Sequence, residues 1–141
     1  MNQEIKFRGK NCIGKWCYGN LEIKQEITDE KTYESIRISG INTSNYTSGI
    51  IPETVGQFTG LYDKNGKEIY EGDIIDFIYS PTCLNKRFIG FVGFTEYKHS
   101  CVIVPNIPSE FRTNEFHIEN AMNGEIIGNV YDNPELINAK D

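Results

Sequence analysis

The chain has 141 residues and a formal net charge of −6, from 14 basic and 20 acidic residues. This length predicts one domain whose core is large enough to fold without a metal or disulfide. The acidic balance argues against a broad electrostatic grip on nucleic-acid phosphates. Aromatic residues make up 12% of the chain, and together with abundant Ile and Val they favour strands over helices.

Hydropathy predicts where the protein resides. No apolar run reaches the roughly 18 residues of a membrane-spanning helix, and the N-terminal segment lacks the apolar region of a signal peptide. We therefore expect a cytoplasmic protein without a membrane partner. In that reducing compartment the four cysteines are expected to be free thiols.

Four segments of the N-terminal third show the apolar enrichment or alternation of strands. They are residues 5–8, 15–18, 21–27 and 33–38. Turns are predicted at 9–14 and at Gly19-Asn20. Trp16 and Tyr18 fall on one face of their strand, where Trp16 is interpreted as core rather than as a ligand platform.

The segment from Gly40 to Gly49 is rich in small polar residues and is predicted to be a loop. The chain is interpreted as one domain over 1–141, with a possible internal boundary near 48–52. That boundary would divide an N-terminal β portion, 1–50, from a central barrel-like portion with the C-terminal strand, 51–141.

Two tight turns organise the centre of the chain. Asn65-Gly66 predicts a two-residue hairpin turn, with positive φ at both residues. Glu71-Gly72-Asp73 predicts a second turn. Together they predict three consecutive antiparallel strands, at 58–62, 69–70 and 74–79.

Further strands are predicted at 88–94, 97–104 and 124–131, and Gly90 and Gly93 suggest a bulge or a bend. Residues 111–122 are interpreted as irregular or strand rather than helix. Asn133 and Pro134 predict a helix start. The predicted fold is all-β and mainly antiparallel, with a central portion like an SH3-like barrel and one short C-terminal helical turn.

No metal, cofactor or catalytic site is predicted. Cys12 and Cys17 lack a second close pair, and Cys83, His99 and Cys101 do not have the spacing of a structural zinc site. Combinations of Cys83 or Cys101 with His117 and an acid are no more specific than chance. The acidic residues around the central turns are interpreted as turn-forming groups: Asp63, Glu68, Glu71, Asp73 and Asp76.

Exposed aromatic and basic side chains near the central turns form a possible interaction surface. Its predicted members are Tyr62, Lys64, Lys67, Tyr70, Lys86 and Arg87, while Asn65, Gly66, Gly72 and Asp73 are interpreted as structural turn residues. Aromatic residues of a β-rich chain more often form its core, and the net charge is acidic. Nucleic acid is therefore possible as a partner, but not favoured.

Two segments, together with Ile5-Lys-Phe-Arg8 and Trp16, resemble the YopX family. They are Thr54-Val-Gly-Gln-Phe-Thr-Gly-Leu to Glu71-Gly-Asp-Ile, and Ile127-Gly-Asn-Val-Tyr-Asp-Asn-Pro-Glu-Leu136. The resemblance spans nearly the whole chain. It implies a small, mostly β protein encoded by a phage or prophage, which self-associates and has no established biochemical activity.

From the residues and this resemblance we expect a non-enzymatic interaction protein that forms homo-oligomers and docks a host or phage macromolecule. The alternative is a nucleic-acid-associated accessory protein in phage replication or regulation.

Overall fold

The computed structural model describes residues 5–28, 31–39, 46–47, 49–79, 85–94 and 100–138. Within these ranges the chain is mostly antiparallel strand with two short helices, as the composition predicts. The strands are β1 (Phe7–Lys10), β2 (Trp16–Thr28), β3 (Lys31–Ser39), β4 (Tyr46–Thr47), β5 (Gly56–Tyr62), β6 (Glu68–Tyr70), β7 (Asp73–Tyr79), β8 (Lys86–Phe94), β9 (Ser100–Ile103), β10 (Glu115–His117) and β11 (Glu125–Asn129); the helices are α1 (Glu119–Met122) and α2 (Glu135–Asn138).

The chain divides into two compact units, Met1–Phe58 and Thr59–Asp141. The division lies C-terminal to the segment 48–52, because residues just after that segment pack with the first unit. The N–H of Ile51 donates to the carbonyl of Lys10 at 2.8 Å, and Gly56 and Gln57 at the start of β5 pair with β1.

In the first unit the strand order is β4-β3-β2-β1-β5. The predicted turn between β1 and β2 is present, and Asn11 stabilises it because its side-chain oxygen accepts hydrogen bonds from the N–H groups of Ile13 and Lys15. The buried apolar residues here include Ile38, Ile50 and Phe58.

The predicted turn at Gly19-Asn20 is wrong, because β2 continues through it as one thirteen-residue strand. The strand changes partners there instead of reversing. Residues up to Gly19 pair with β1, and residues from Asn20 onward pair with β3. Beyond Gly19, therefore, β2 and β3 form a two-stranded hairpin, which we call the arm (20–28 and 31–39).

In the second unit β5 continues into a pairing with β6, and the five other strands form a sheet in the order β10-β9-β8-β7-β11. Every pairing described in that sheet is antiparallel. Its core is built by buried apolar side chains, with aromatic rings at its centre: Ile69, Ile75, Phe77, Phe88, Val92, Val102, Val104, Phe116 and Ala121.

The predicted hairpin between β5 and β6 is present, but its turn has three residues rather than two. Asp63 and Lys67 close the loop, since Asp63 N–H donates to the Lys67 carbonyl at 2.9 Å. Gly66 has φ +81°, whereas Asn65 is not among the residues with positive φ. The prediction of positive φ at both positions is therefore wrong, and a turn ending in one left-handed glycine takes its place.

The predicted turn at Glu71-Gly72-Asp73 is also present, and Gly72 has φ +89°. However, β7 does not pair with β6 as predicted. Its neighbours are β8 and β11, so the turn is a corner at which the chain leaves one pair of strands and enters the five-stranded sheet.

Gly90 and Gly93 do not mark a bulge, because the residues around them pair with β7 and β9 without a register shift. A methyl group at Gly90 would lie 2.6 Å from the Ile103 carbonyl oxygen. The glycine therefore permits close approach of β9. The register shift in this sheet lies instead in β11, between Ile126 and Gly128.

The interpretation of residues 111–122 as irregular or strand rather than helix holds only for the first part of the segment, because its last four residues form a helix. Phe116 lies in β10, as its alternation indicates, and Ala121 lies in α1. The predicted C-terminal helix is present as α2, directly after Pro134.

Candidate interaction surfaces

The six residues predicted as an interaction surface do not form one continuous surface. Tyr70 is only 2% exposed and belongs to the core, so its assignment to a surface is wrong. Tyr62 is 46% exposed at the end of β5. The four basic residues are all exposed: Lys64 and Lys67 flank the β5–β6 turn, and Lys86 and Arg87 begin β8.

Two of these basic residues converge on one carboxylate. Arg87 Nε donates to Asp76 Oδ1 at 2.7 Å, and its Nη2 contacts the other carboxylate oxygen. The hydrogen bond from Arg87 lowers the pKa of Asp76, burial opposes this, and the charges of Arg87 and Lys64 lower it further. The charge of Arg87 is thus already paired with that of Asp76. Because this ion pair is partly exposed to solvent, it contributes little to stability.

The side chain of Asp63 accepts hydrogen bonds that hold the turn, as predicted, and the residue is only 5% exposed. One carboxylate oxygen accepts the N–H groups of Asn65 and Lys67, both at 2.9 Å. The other accepts the N–H of Ile126 in β11 at 3.0 Å. Burial raises the pKa of Asp63, but these hydrogen bonds outweigh burial, and the pKa lies below its ordinary value.

Asp73 acts in the same way at the next corner. It is 2% exposed, and its Oδ2 accepts the N–H of Tyr70 at 2.8 Å. Gly72 donates to the Val92 carbonyl and accepts from Val130, both at 2.9 Å. These hydrogen bonds connect the corner to β8 on one side and to the residue after β11 on the other. The turn residues therefore have a structural role.

The polar residues of the C-terminal segment also have a structural role. Asn129 Oδ1 accepts the N–H groups of Tyr131 and Asp132, at 3.0 and 2.9 Å. Asn133 Oδ1 accepts the N–H of Asn129 at 3.3 Å. Asn133 therefore holds the turn before α2, in addition to standing next to Pro134.

In the first unit, three basic side chains in or next to β1 lie against aromatic rings. Lys6 is 4.9 Å from the ring centre of Phe58, and Arg8 is 4.7 Å from that of Trp16. Lys10 lies 5.8 Å from the same Trp16 ring. Lys6 and Arg8 are only 9% and 6% exposed, so these contacts are part of the packing of the β1 segment against β5 and β2.

The second unit has a cleft of about 350 Å³ beside β10. It is lined by aromatic and polar side chains: Tyr79, Phe111, Arg112, Thr113, Glu115, Phe116, His117 and Asn120. His117 lies directly opposite Cys101 in the β9–β10 register. Burial, and secondarily Glu115, raises the pKa of the Cys101 thiol, which is the reverse of what activates a cysteine nucleophile.

Metal ligands are not assembled among the residues that the structure describes, where no group of three His, Cys, Asp or Glu is close enough to hold an ion. Cys12, Cys17 and Cys101 are free thiols. Cys83 and His99 lie outside the described residues. In the same part of the chain, no helix has the length and apolar character needed to cross a membrane.

The surface that sequence reasoning missed is the arm. Because paired residues of an antiparallel hairpin point to the same side, one face of the arm carries Leu21, Ile23, Ile27, Ile36 and Ile38, together with the polar residues Gln25 and Thr32. Ile23 is 58% exposed and Ile27 is 77% exposed. The alternation of isoleucine in 21–27 and 33–38 signals such a face, but does not reveal that Ile38 is buried whereas Ile23 and Ile27 are exposed.

The opposite face of the arm is polar, with Glu22 paired to Arg37 and Lys24 paired to Ser35. The arm is thus an amphipathic two-stranded ribbon. Such a ribbon has marginal stability in water unless it packs against another layer or strand, and its exposed isoleucines mark it as the strongest candidate for contact with a partner.

Comparison with known proteins identifies the family. The model of the YopX protein family matches residues 6–138. The chain belongs to the YopX family. The match includes both turns and the Asn129–Asn133 segment, which form the hydrogen bonds described above.

Among solved structures, this YopX-family chain is similar to protein EF1440 from Enterococcus faecalis. The two share 18% sequence identity, and the alignment covers 96% of this chain and 99% of that one, with a TM-score of 0.51. At this identity the likeness concerns the fold alone. A comparison with curated proteins finds no significant match.

Proposed function

We propose that this YopX-family chain is a non-enzymatic interaction protein, encoded by a phage or prophage, which self-associates and docks a host or phage macromolecule in the cytoplasm. The observation that carries the proposal is the arm. Ile23 and Ile27 expose most of their surface in the part of the arm that lies beyond the buried Ile38.

Physical chemistry favours a partner for this face. Burying one isoleucine side chain contributes roughly 1.5–3 kcal/mol relative to leaving it in water. Association that covers both isoleucines of each copy therefore supplies a substantial driving force. The turn-forming roles of Asp63 and Asp73 and the raised pKa of Cys101 are consistent with a role other than catalysis.

The second unit supports an SH3-like barrel as its architecture. β7 to β10 follow one another across the sheet, and β11 returns to pair with β7. This is the strand order of small SH3-like barrels, a fold that serves many interaction modules and does not by itself specify a partner.

The experiment is to measure the mass of the purified chain by light scattering between about 1 and 100 µM. We expect an oligomer that dissociates when Ile23→Asp and Ile27→Asp are combined. The matched control is Lys31→Asp, at the exposed tip of the same hairpin, because it changes the net charge by the same two units. A wild-type chain that is monomeric throughout the range contradicts the proposal.

Nucleic-acid binding is the second candidate, and the exposed aromatic side chain of Tyr18 on β2 is the observation that favours it. Tyr18, opposite Arg8 in the β1–β2 register, is 48% exposed. Fluorescence anisotropy with single- and double-stranded oligonucleotides at low salt tests it. Binding that Tyr18→Ala abolishes would favour this function, and unchanged anisotropy would eliminate it.

A further inference from the structure

We propose that Asn65 is a site of spontaneous covalent modification, at which the asparagine cyclises onto Gly66 and opens to isoaspartate. The conversion is expected to loosen the hydrogen bonds by which Asp63 holds the β5–β6 turn and β11. The modification does not depend on the self-association proposed above, and the residues that take part in it all lie in the second unit.

The reaction needs an asparagine followed by a residue whose backbone nitrogen can reach the side-chain carbon. Glycine suits this position because it has no Cβ atom to obstruct the approach. The sequence contains two such pairs, Asn65-Gly66 and Asn123-Gly124. The unfolded chain should therefore react at both pairs at similar rates, and a difference between them in the native protein has a structural cause.

The chemistry requires no cofactor. In the first step the backbone nitrogen of Gly66 bonds to Cγ of Asn65, the Cγ–Nδ2 bond breaks, and the proton of the Gly66 N–H leaves with the side-chain nitrogen as ammonia. Water then opens the succinimide ring. Addition at Cγ gives aspartate, whereas addition at the main-chain carbonyl carbon gives isoaspartate, in which the chain continues through the former side chain. Nothing is oxidised or reduced.

The turn that carries Asn65 is open to solvent. Residues 64–67 are all exposed, and a Cβ atom at Gly66 would meet no atom within 4 Å. The Gly66 N–H donates to the Asp63 carbonyl at 3.0 Å, and this hydrogen bond has to open before the nitrogen can attack. Because exposed backbone hydrogen bonds in a turn open locally at low free-energy cost, the native fold slows the reaction here without preventing it.

Asn123 is also exposed, but the glycine that follows it is buried. Both the N–H and the carbonyl of Gly124 make backbone hydrogen bonds, at 3.1 and 3.0 Å. A Cβ atom at Gly124 would lie 2.8 Å from the Asp76 carbonyl oxygen, so the peptide unit has no room to rotate without displacing β7. Native Asn123 is therefore expected to react at least about tenfold more slowly than Asn65.

Isoaspartate at position 65 adds one atom to the main chain of the turn. One oxygen of Asp63 accepts the N–H groups of Asn65 and Lys67, both at 2.9 Å, and so depends on the spacing of these two groups. The other oxygen accepts the N–H of Ile126 in β11 at 3.0 Å. A longer turn changes that spacing, so we expect the carboxylate to shift and its hydrogen bond to β11 to weaken.

Mass spectrometry after incubation of the purified native chain at neutral pH measures both rates. Chymotrypsin cleaves after Tyr62 and Tyr70 and so isolates Asn65 on one peptide, while fragment ions locate any change at Asn123 on another. Incubation in guanidinium chloride is the control, in which the two rates should become similar. A native Asn123 that reacts as fast as Asn65, or an unchanged native Asn65 while the denatured sample converts, overturns the proposed site.

Thermal melts test the structural consequence. Wild type aged until isoaspartate predominates is expected to melt below fresh protein, and the N–H of Ile126 should exchange faster with solvent. Asn65→Gln cannot form the five-membered ring and should keep its melting temperature through the same incubation. Asn65→Asp, measured fresh, adds the charge without the extra main-chain atom and is expected to melt like wild type. Converted protein that melts like fresh protein overturns the loosening of the contact with β11.

Discussion

The Asp63 carboxylate accepts the backbone N–H of Ile126 at 3.0 Å, across 63 residues of sequence. The same carboxylate holds the N–H groups of Asn65 and Lys67 in its own turn. A second backbone bond, from Lys64 N–H to the Gly124 carbonyl, runs beside it. One side chain thus connects the β5–β6 turn to β11, and so connects the two segments by which the family is recognised.

Asp63→Ala is expected to lower the free energy of unfolding by about 2–3 kcal/mol, because it leaves three backbone N–H groups without their acceptor. Urea denaturation measures this change. Glu110→Ala removes an exposed carboxylate and is the control, with an expected change within about 0.5 kcal/mol. Equal effects of the two variants would show that Asp63 is not a structural acceptor.

The stabilisation by Asp63 is also expected to depend on pH. Its folded-state pKa lies below the ordinary value, so the charged carboxylate stabilises the fold fully above the unfolded pKa, about 3.9. That contribution disappears as the pH falls through the lower folded pKa. The stability difference between wild type and Asp63→Asn should therefore shrink between about pH 5 and pH 2; a difference that stays constant would contradict the assignment.

The three-residue turn predicts a specific order of substitutions at Gly66. A side chain there meets no atom within 4 Å, so the cost arises from the positive φ alone. Gly66→Val is expected to destabilise the protein by about 1–2 kcal/mol. Gly66→Asn should cost markedly less, because asparagine tolerates the left-handed region better.

Asn65 provides the complementary test. Because Asn65 does not have positive φ, Asn65→Ala should change the melting temperature very little. In a two-residue turn, by contrast, the same substitution would strain the backbone. A large loss from Asn65→Ala would restore the two-residue turn and contradict the structure.

Gly128 is expected to be intolerant of even one methyl group. A Cβ atom at Gly128 would lie 2.5 Å from Asn133 Oδ1, the atom that accepts the N–H of Asn129. Gly128→Ala should destabilise the fold by about 1–3 kcal/mol. In a double-mutant cycle, Asn133→Ala should cost less in the Gly128→Ala background than in wild type, because there it also removes the atom that clashes with the new methyl group; strict additivity would argue against the contact.

Thiol labelling should separate the cysteines. Cys101 is 4% exposed, and burial raises its pKa, so it should react with iodoacetamide much more slowly than the exposed Cys12. Mass spectrometry of peptides from native protein at pH 8 measures both rates. Denatured protein is the control, in which the two rates should become similar, and fast labelling of native Cys101 would contradict its burial.

Local signals made part of this structure predictable. The β5–β6 hairpin, the corner at Gly72 and the helix after Pro134 depend on turn chemistry that neighbouring residues determine. The turn length was not predictable, because it depends on Asp63 accepting two N–H groups of its own loop. The turn predicted at Gly19 is wrong for a related reason. Gly19 lies where β2 changes its pairing partner from β1 to β3, and local sequence does not show this change.

Only some members of the predicted interaction surface could be identified from the sequence. Exposed lysines near the turn are visible in the sequence, but the burial of Tyr70 follows from a core assembled by distant strands. Predicting the arm would have required knowing that β2 pairs with β3. The exposure of Ile23 and Ile27 depends on where the rest of the chain packs.

The position of β7 between β8 and β11 has a consequence for synthesis. The chain is synthesised from its N-terminus, so β8 is available to pair with β7 early. By contrast, β11 begins about fifty residues after the start of β7. Until then one edge of β7, most of whose residues are buried in the finished sheet, is open, and Asp63 lacks its distant donor. The nascent chain therefore carries an unpaired edge through a large part of translation, a window in which aggregation competes with completion of the sheet.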